Sequence, residues 1–324
     1  MFTYIIRRIL YSIPVLIAAS FLTFTFVSLA VSPTAFLSFI PGVDETTLTQ
    51  VRERKHLDKP IPVRYVYWVK EVTTEKFGTT TLGDRPIWPD IRRAMGNTAQ
   101  LIITAELLAI IFAIAIGVYS AVKQYSPFDY AATTFSFLGL ATPNFWLALM
   151  LQVLTVNILL KYDVRFFYVS GLSSPDAGSG LSFVIDRAQH LALPIIVLAT
   201  ASIATYSRFM RASMLEVINS DYVRTARAKG LVEGRVVMRH AFRNALVPLV
   251  TLIALNFGAL FGGAVVTETV FGLDGMGFYF ITALNEGDPY PIMAWLMITA
   301  TLIIMFNLIA DIVYGYLDPR VRYE

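Results

Sequence analysis

The sequence predicts an all-α polytopic membrane protein with six transmembrane helices and an external domain between the first two. Hydrophobic residues make up 56% of the 324 residues, charged residues only 15%, and the mean hydropathy is +0.61. Soluble domains carry roughly 25% charged residues, so this chain needs lipid to cover part of its apolar surface. Cysteine is absent, which excludes disulfides, and with only three histidines a transition-metal centre is not expected.

Six apolar stretches set the order of the elements, because about 20 helical residues cover the hydrocarbon core of about 30 Å. Residues 1–31 contain the N-terminus and the first helix, and residues 32–96 form the external domain. The core, 97–324, has a connecting loop at 212–245 and five helices at about 97–122, 130–160, 190–211, 246–268 and 291–316. Pro143 lies within the third stretch and predicts a kink or a turn there.

The first apolar stretch also resembles a secretory signal peptide. Arg7 and Arg8 precede it, and Ser28-Leu29-Ala30 resembles a cleavage site. The apolar cores of signal peptides run about 7–15 residues, whereas this one is longer. We therefore expect it to remain as a membrane helix.

Basic residues predict the orientation of the chain. In a six-helix arrangement they fall before the first helix, between the second and third, between the fourth and fifth, and after the last, all on one side. They are Arg7, Arg8, Lys123, Arg208, Arg211, Arg224, Arg227, Lys229, Arg235, Arg239, Arg243, Arg320 and Arg322. The positive-inside rule makes this side cytoplasmic. We therefore expect a multi-pass protein of the plasma membrane with both termini in the cytoplasm.

The external domain has a predicted amphipathic helix at about 63–71. Tyr65, Trp68 and Val69 on this helix suit a membrane interface, where tyrosine and tryptophan are common. Packing within a small external domain explains the same residues equally well.

The cytoplasmic loop predicts two helices separated by a glycine. Ser220 suits an N-cap, Asp221 follows in the first turn, and 223–229 is helical up to Gly230, which suits a left-handed C-cap. A second helical run places Arg235, Arg239 and Arg243 at i, i+4 and i+8, on one face of an α-helix, and Pro248 opens the fifth span. The result is a rigid elbow that can pass force to a partner. From charge alone, the loop would only fix the topology, its arginines reaching lipid phosphates.

The sequence DYVRTARAKGL at 221–231, followed by RHAFRNALVP at 239–248, closely resembles the coupling loop of the oligopeptide/dipeptide/nickel ABC importer permeases. Further segments resemble that family in the same order, at 57–65, 77–80, 97–98, 262–272 and 317–322. Two departures stand out. Importer permeases in general have Glu-Ala-Ala where this chain has Arg224-Thr225-Ala226, as the peptide group does, and Leu273-Asp274 replaces an expected aromatic residue and proline.

The resemblance implies a type I ABC importer permease fold and a chain without catalytic or cofactor chemistry of its own. The partners would be a second homologous permease in a heterodimer, two ATPase subunits that bind ATP and Mg, and an external substrate-binding protein. The substrate would be an oligopeptide, with dipeptides or nickel as alternatives. Docking to the ATPase would involve Asp221, Arg224, Thr225, Ala226, Arg227, Ala228, Lys229, Gly230 and Leu231.

Polar and small residues within the spans are candidates for the translocation path: Glu106, Asn144, Asn256 and Gly258. A charge in mid-bilayer costs about 2.5–3.5 kcal/mol on insertion scales, so Glu106 should face a polar contact inside the permease or be a protonated, helix-bonded structural residue. Gly258 and Gly262 have the GxxxG spacing of closely packed helices, either with a partner or within the chain.

Four acids lie near the predicted external mouth: Glu268, Asp274, Glu286 and Asp288. They are either contacts for a binding protein or, by default, solvated loop charges.

Other function classes fit the sequence less well. Phosphate-binding loops, zinc-binding helix motifs and nucleophile elbows are absent, which argues against an enzyme. A stand-alone secondary transporter or channel would commonly show internal repeats and intramembrane ionisable relays, whereas this chain has one intramembrane acid. The basic cluster lies between two spans, so it is not free to wrap a nucleic acid.

Overall fold

The computed structural model describes residues 2–32, 34, 37, 38, 43–81 and 83–317, and the secondary structure of this part is helical. In chain order the helices are α1 Phe2–Ala30, α2 Glu45–Arg54, α3 Ile61–Thr74, α4 Ile87–Val122, α5 Pro127–Ala141, α6 Asn144–Tyr162, α7 Leu181–Ile218, α8 Asp221–Ala228, α9 Glu233–Arg235, a π-helical segment Val236–Ala241, α10 Phe242–Gly263, α11 Val265–Phe271, α12 Met276–Asn285 and α13 Pro289–Leu317. Arg320, Arg322 and the family-like ending after Leu317 lie outside the described residues.

Among the described residues, six helices are long and apolar enough to cross a membrane, as the sequence predicts. They are Ile5–Ala30, Ile87–Val122, Asn144–Tyr162, Leu181–Ile218, Glu233–Gly258 and Pro289–Val313. Several extend past the apolar limits read from the sequence. The helix α4 begins at Ile87 instead of near residue 97, and α7 runs from Leu181 to Ile218 instead of from about 190 to 211. Hydropathy marks only the apolar part of a helix, whereas its hydrogen bonding continues through polar turns.

The predicted break at Pro143 is present. The helix α5 ends at Ala141, α6 begins at Asn144, and Pro143 has φ −64° and ψ 135° between them. Proline has no N–H to continue the helical ladder, and it disfavours helical geometry in the residue before it. The stretch 130–160 is therefore two helices. Of these, α5 packs closely on α7, since a Cβ on Gly139 would lie 3.2 Å from the Ala204 Cβ.

The chain divides into two compact units. The N-terminal unit is Phe2–Thr98 with Asp274–Met305, and the central unit is Ala99–Leu273 with the residues from Phe306 onward. The segment predicted as an external domain thus belongs to one unit with α12 and the beginning of α13.

Aromatic packing organises the N-terminal unit. Trp68 on α3 is buried against Phe24 of α1 (ring centroids 5.4 Å apart), and the Tyr65 and Ser20 hydroxyl oxygens lie 2.6 Å apart. The predicted amphipathic helix is therefore present as α3. Its aromatic residues pack against α1, which favours the packing interpretation for Tyr65 and Trp68.

The central unit has a core of small and flexible apolar residues. Its buried members are Ala109, Ala113, Ala121, Ala199, Tyr206, Met210, Met214, Val223, Ala226, Val236, Val237, Ala241, Ala245 and Leu249. Gly117 lets α4 and α7 approach closely, since a Cβ there would lie 2.6 Å from the Met210 Cβ and 2.7 Å from the Ser207 carbonyl oxygen. Small residues serve this purpose in membrane helix pairs. The core thus connects α4, α7, α8, the π-helical segment and α10.

Candidate functional site

The short helix α8 follows directly from the long helix α7. Ser220 has the extended backbone of an N-cap (φ −71°, ψ 154°), and Asp221 lies in the first turn as predicted. Ser220 is therefore the predicted N-cap by position, but its hydroxyl does not cap α8 and donates instead to the Val217 carbonyl oxygen at 2.6 Å. The end of α7 leaves carbonyls without helical partners, and Ser220 satisfies one of them.

Gly230 ends the helix in the predicted left-handed conformation. Its φ is +75°, and its N–H donates to the Arg227 carbonyl oxygen at 2.9 Å. A Cβ at this position would meet nothing within 4 Å. Glycine is therefore favoured here by the backbone conformation and not by crowding.

The helix α8 has one buried and one exposed face. Val223 is fully buried and Ala226 is 6% exposed, both within the core of the central unit. The predicted coupling residues that remain exposed are Asp221, Arg224, Thr225, Ala228, Lys229 and Gly230, and Tyr222 is exposed beside them. Leu231 is half-buried against the core. Direct docking through Ala226 is thus excluded in this structure. Its methyl group instead packs α8 against the core of the central unit.

Two side chains, Arg227 and Asn244, fasten α8 to its surroundings. The Arg227 guanidinium donates from Nη2 to Glu233 Oε1 (2.8 Å) and from Nε to Oε2 (3.1 Å), and from Nη1 to the Ile218 carbonyl oxygen (3.2 Å). Asn244 Nδ2 donates to the Tyr222 hydroxyl at 2.9 Å. Arg227 is therefore an anchor, and Glu233 and Asn244 are site residues that sequence reasoning missed. The opposite charges of Arg227 and Glu233 across the glycine were the available signal.

The predicted arginine face after Gly230 is wrong. A π-helical segment at Val236–Ala241 follows the single turn α9, so the i, i+4 spacing of an α-helix does not hold between Arg235 and Arg243. The i to i+5 bonding of a π-helix brings Val236 and Ala241 onto the same buried side. Burial of these residues thus sets the local geometry, and Arg235, Arg239 and Arg243 are each exposed.

A polar cluster lies inside the central unit. Glu106 on α4 is 2% exposed; Ser202 Oγ donates to its Oε1 at 2.6 Å, and the Tyr206 hydroxyl donates to its Oε2 at 3.0 Å. The Asn256 side chain on α10 lies close to the Tyr206 hydroxyl. Glu106 is thus bonded across helices, which favours the interhelical polar contact over a glutamate bonded within its own helix.

The other two path candidates lie outside this cluster. Asn144 is the first residue of α6 and is partly exposed, and Gly258 is buried within α10. The packing of Gly262, predicted from its GxxxG spacing, lies outside what the structure describes. The structure therefore brings two of the four predicted path residues, Glu106 and Asn256, close to the Tyr206 hydroxyl.

A buried ion pair joins α5 to α7. Arg211 Nε and Nη2 donate to Asp129 Oδ1 and Oδ2 at 2.6 and 2.7 Å, the Tyr125 N–H donates to Oδ2 at 3.0 Å, and the Ser120 hydroxyl donates to Oδ1. The Arg211 guanidinium, followed by the Ser120 hydroxyl, holds the pKa of Asp129 well below its usual range against the effect of burial. Arg211, predicted only as part of the basic cluster, is thus a structural partner.

The four acids assigned to the external mouth fall into two classes. Glu268 and Asp288 are buried, so solvated loop charge is wrong for them. Asp288 accepts from the Thr81 N–H at 2.6 Å and the Thr81 hydroxyl at 2.7 Å, which accounts for its burial. Asp274 is partly exposed and pairs with Arg93 (2.9 Å), and Glu286 is exposed and pairs with Arg85 (3.6 Å).

Comparisons with known proteins agree with these features. Residues 113–323 match the family of binding-protein-dependent transport system inner membrane components, and residues 1–89 match the N-terminal part of such membrane components. The chain is 38% identical to the oligopeptide transport system permease AppB of Bacillus subtilis, over 100% of both chains. It is 35% identical to the dipeptide transport system permease DppB of Alkalihalophilus pseudofirmus over 100% of both, and 34% identical to the oligopeptide permease OppB of Mycobacterium tuberculosis over 98% of both.

Solved structures share the fold at low sequence identity. The MetNI methionine ABC transporter in an inward-facing conformation matches with a TM-score of 0.56 at 14% identity, over 70% of this chain and 96% of the other. An amino acid ABC transporter matches with a TM-score of 0.51 at 13% identity, over 70% and 94%. The predicted type I permease fold is therefore confirmed. By its family match and its full-length relatives, this chain belongs to the binding-protein-dependent transport system inner membrane components, as a multi-pass, non-catalytic permease subunit.

Proposed function

We propose that this chain pairs with a second, homologous permease subunit to import oligopeptides across the plasma membrane. Two separate ATPase subunits, which bind ATP and Mg, would drive transport, and an external binding protein would deliver the substrate. The 38% identity to an oligopeptide permease supports this substrate, but the 35% identity to a dipeptide permease is close to it. Dipeptides are thus the nearer alternative, and nickel the further one.

The two-faced helix α8 is the observation that carries the proposal. Its exposed face offers small and polar side chains to a partner, while Val223 and Ala226 are buried among residues of α7, the π-helical segment and α10. Interiors packed this closely transmit displacement instead of absorbing it. A push on the exposed face by an ATPase would therefore move α7 and α10 together.

The same displacement would reach the polar cluster inside the membrane. Tyr206 on α7 donates to Glu106 on α4, and Asn256 on α10 lies close to the same hydroxyl. Movement of α7 relative to α4 would change the distance between these polar groups. We place Glu106 and Asn256 on the translocation path for this reason, with Asn144 and Gly258 as further lining residues.

The basic residues support an orientation with α8 and the N-terminus in the cytoplasm. Arg7 and Arg8 lie at one end of α1, and Arg224, Arg227 and Lys229 lie on or beside α8. An ATPase that hydrolyses cytoplasmic ATP must approach from that side. Under this topology the segment between α1 and α4 is external.

Ala228→Arg tests the docking role of α8. The side chain is exposed, so the fold tolerates the change while the partner-facing surface gains bulk and charge. We expect the variant to reach the membrane in normal amounts, to lose co-purifying ATPase subunits and to lose transport. Thr74→Arg, at another exposed residue, at the end of α3, is the matched control and should retain both.

A result in which Ala228→Arg keeps its ATPases and its transport would contradict the proposed docking surface. Transport of solute by the purified chain alone in vesicles without ATP would instead indicate a secondary carrier or channel. A competition assay distinguishes the substrates. It compares the uptake of labelled dipeptides, longer peptides and nickel into vesicles that contain the whole transporter and its binding protein.

A further inference from the structure

The helix α3 has one face committed to α1 and one that is free within the N-terminal unit. On the committed face, Tyr65 packs edge-on against Phe21 with ring centroids 5.2 Å apart, and Trp68 is 3% exposed beside Phe24. The free face begins with three exposed apolar residues, Val63 (41% exposed), Val66 (66%) and Tyr67 (41%). Tyr67 keeps this exposure although its ring stacks on His56 at 4.0 Å.

The apolar patch occupies only the first half of the free face. One and two turns further along the same stripe, Lys70, Thr73 and Thr74 are exposed and polar. A water-exposed helix face has no reason to collect valine and tyrosine at one end. An amphipathic helix lying in a membrane interface presents such a patch to the acyl boundary and its basic residues to lipid phosphates.

The packing on α1 fixes the depth of α3. The helix α1 rises about 24 Å between Arg8 and Phe24, at 1.5 Å per residue. The hydrocarbon core is about 30 Å thick, so with Arg8 at one boundary Phe24 lies just inside the opposite one. On either side of this level α1 itself exposes large apolar side chains, Leu22 at 52% and Phe26 at 66%. The α1 residues that hold α3 are thus themselves at membrane depth.

We propose that Val63, Val66 and Tyr67 form a lipid-contact surface, with α3 lying in the membrane interface on the side opposite Arg7 and Arg8. The three side chains enter the boundary between headgroups and acyl chains, where tyrosine is favoured. Lys70 reaches the phosphates of the same leaflet. This surface anchors the N-terminal unit to the bilayer independently of which solute is carried and of which end of the chain is cytoplasmic.

Fluorescence quenching in the assembled transporter tests this surface. The chain has no cysteine, so Val66→Cys and Thr74→Cys each give one labelling site for an environment-sensitive dye on this subunit. The complex with the unmodified chain supplies the background from the partner subunits. In nanodiscs, we expect lipids with an acyl-chain nitroxide to quench the dye at position 66 about threefold more than at 74. Aqueous iodide should quench the dye at 74 more.

Two results would overturn the proposal. Equal quenching by iodide at both positions would mean that the free face lies in water. Protection of position 66 from both quenchers would mean that a protein partner covers it. Val63→Cys, one turn earlier on the same face, repeats the measurement if Val66→Cys assembles poorly, and transport by each labelled complex verifies that it is native.

Discussion

Individual polar side chains inside the central unit are matched to partners on other helices. Glu106 is the clearest case, because both of its carboxylate oxygens accept hydroxyl donors from α7. The sequence identified Glu106 as unusual from its position in an apolar span. It could not identify Ser202 and Tyr206 as partners, because a serine on a helix often bonds its own backbone and because both residues lie about 100 positions away in the chain.

Glu106→Gln separates the charge of this residue from its hydrogen bonding. The amide still offers one oxygen acceptor to Ser202 or Tyr206, so we expect thermal stability in detergent to change by about 1 kcal/mol or less. Transport should fall several-fold, because the proposed path loses an ionisable carboxyl group. Glu106→Leu is the comparison, and it should lower stability further since two buried hydroxyls lose their acceptor. Unchanged transport by Glu106→Gln would leave Glu106 a purely structural role.

Asp129 and Arg211 should behave as a coupled pair. Removing one partner of a buried ion pair leaves the other uncompensated, and since Arg211 is partly exposed we expect Asp129→Ala to cost about 2–3 kcal/mol. The double variant with Arg211→Ala should cost less than the sum of the single variants. The free energies of unfolding of the unmodified chain, the two single variants and the double variant, measured in detergent, complete this double-mutant cycle. Strict additivity would show that the pair contributes nothing beyond its separate residues.

The pH dependence of this pair has a defined direction. The folded state lowers the pKa of Asp129, so the ionised carboxylate contributes stability that is complete above its unfolded value of about 3.9. That contribution is lost as the pH falls through the lower, folded pKa. Denaturation curves between about pH 7 and pH 3 should therefore show the cost of Asp129→Asn shrinking only at the acid end of this range. A cost that already disappears near neutral pH would contradict the assignment.

At the scale of elements, close approach of helices and local anchoring decide how α8 is held. The helices α4 and α7 meet across Gly117, and α8 is fastened at both ends by Arg227 and Asn244. The sequence predicted α8, its glycine C-cap and the break at Pro143, since each depends on residues adjacent in the chain. The π-helical segment could not be predicted, because it accompanies the burial of Val236 and Ala241 in the core, and the α-helical spacing assumed for the sequence does not reveal that burial.

Gly117→Ala should weaken the α4–α7 packing. Its Cβ would lie 2.7 Å from the Ser207 backbone oxygen, which cannot rotate away as a side chain can. Overpacking of this kind costs about 1–3 kcal/mol. Gly96→Ala in the same helix is a matched control, because a Cβ there meets nothing within 4 Å and alanine favours the helix. Thermal unfolding in detergent should separate the two, and equal stability of both variants would contradict the close approach.

Arg227→Ala and Glu233→Ala should have the same effect on coupling. Their ion pair is partly exposed, so the loss of stability should be small, about 0.2–1 kcal/mol. The orientation of α8 would nevertheless loosen, and we expect more ATP to be hydrolysed per solute imported, with ATPase subunits still bound. The double variant should add little to either single one. Loss of ATPase binding in Arg227→Ala alone would instead assign Arg227 to the docking surface.

At the scale of the whole molecule, hydropathy predicted the six spans found among the described residues. It could do so because a hydrocarbon core about 30 Å thick requires a long apolar stretch for each spanning helix. The burial of Glu268 and Asp288, by contrast, could not be predicted from the sequence. Asp288 is buried by Thr81, which lies 207 positions away in the chain. Burial of a carboxylate depends on such a distant donor, and charge in the sequence does not reveal it.

The division into two units has a consequence for biogenesis. The elbow around α8 is held by Ile218, Glu233 and Asn244, all near in sequence, so it can form as soon as that stretch leaves the ribosome. The N-terminal unit instead needs Asp274–Met305, which is made only after the whole of Ala99–Leu273. The bonds of Asp288 to Thr81 must therefore wait for nearly the entire chain. The unit that is begun first during synthesis therefore cannot be completed until the whole of Ala99–Leu273 has been made.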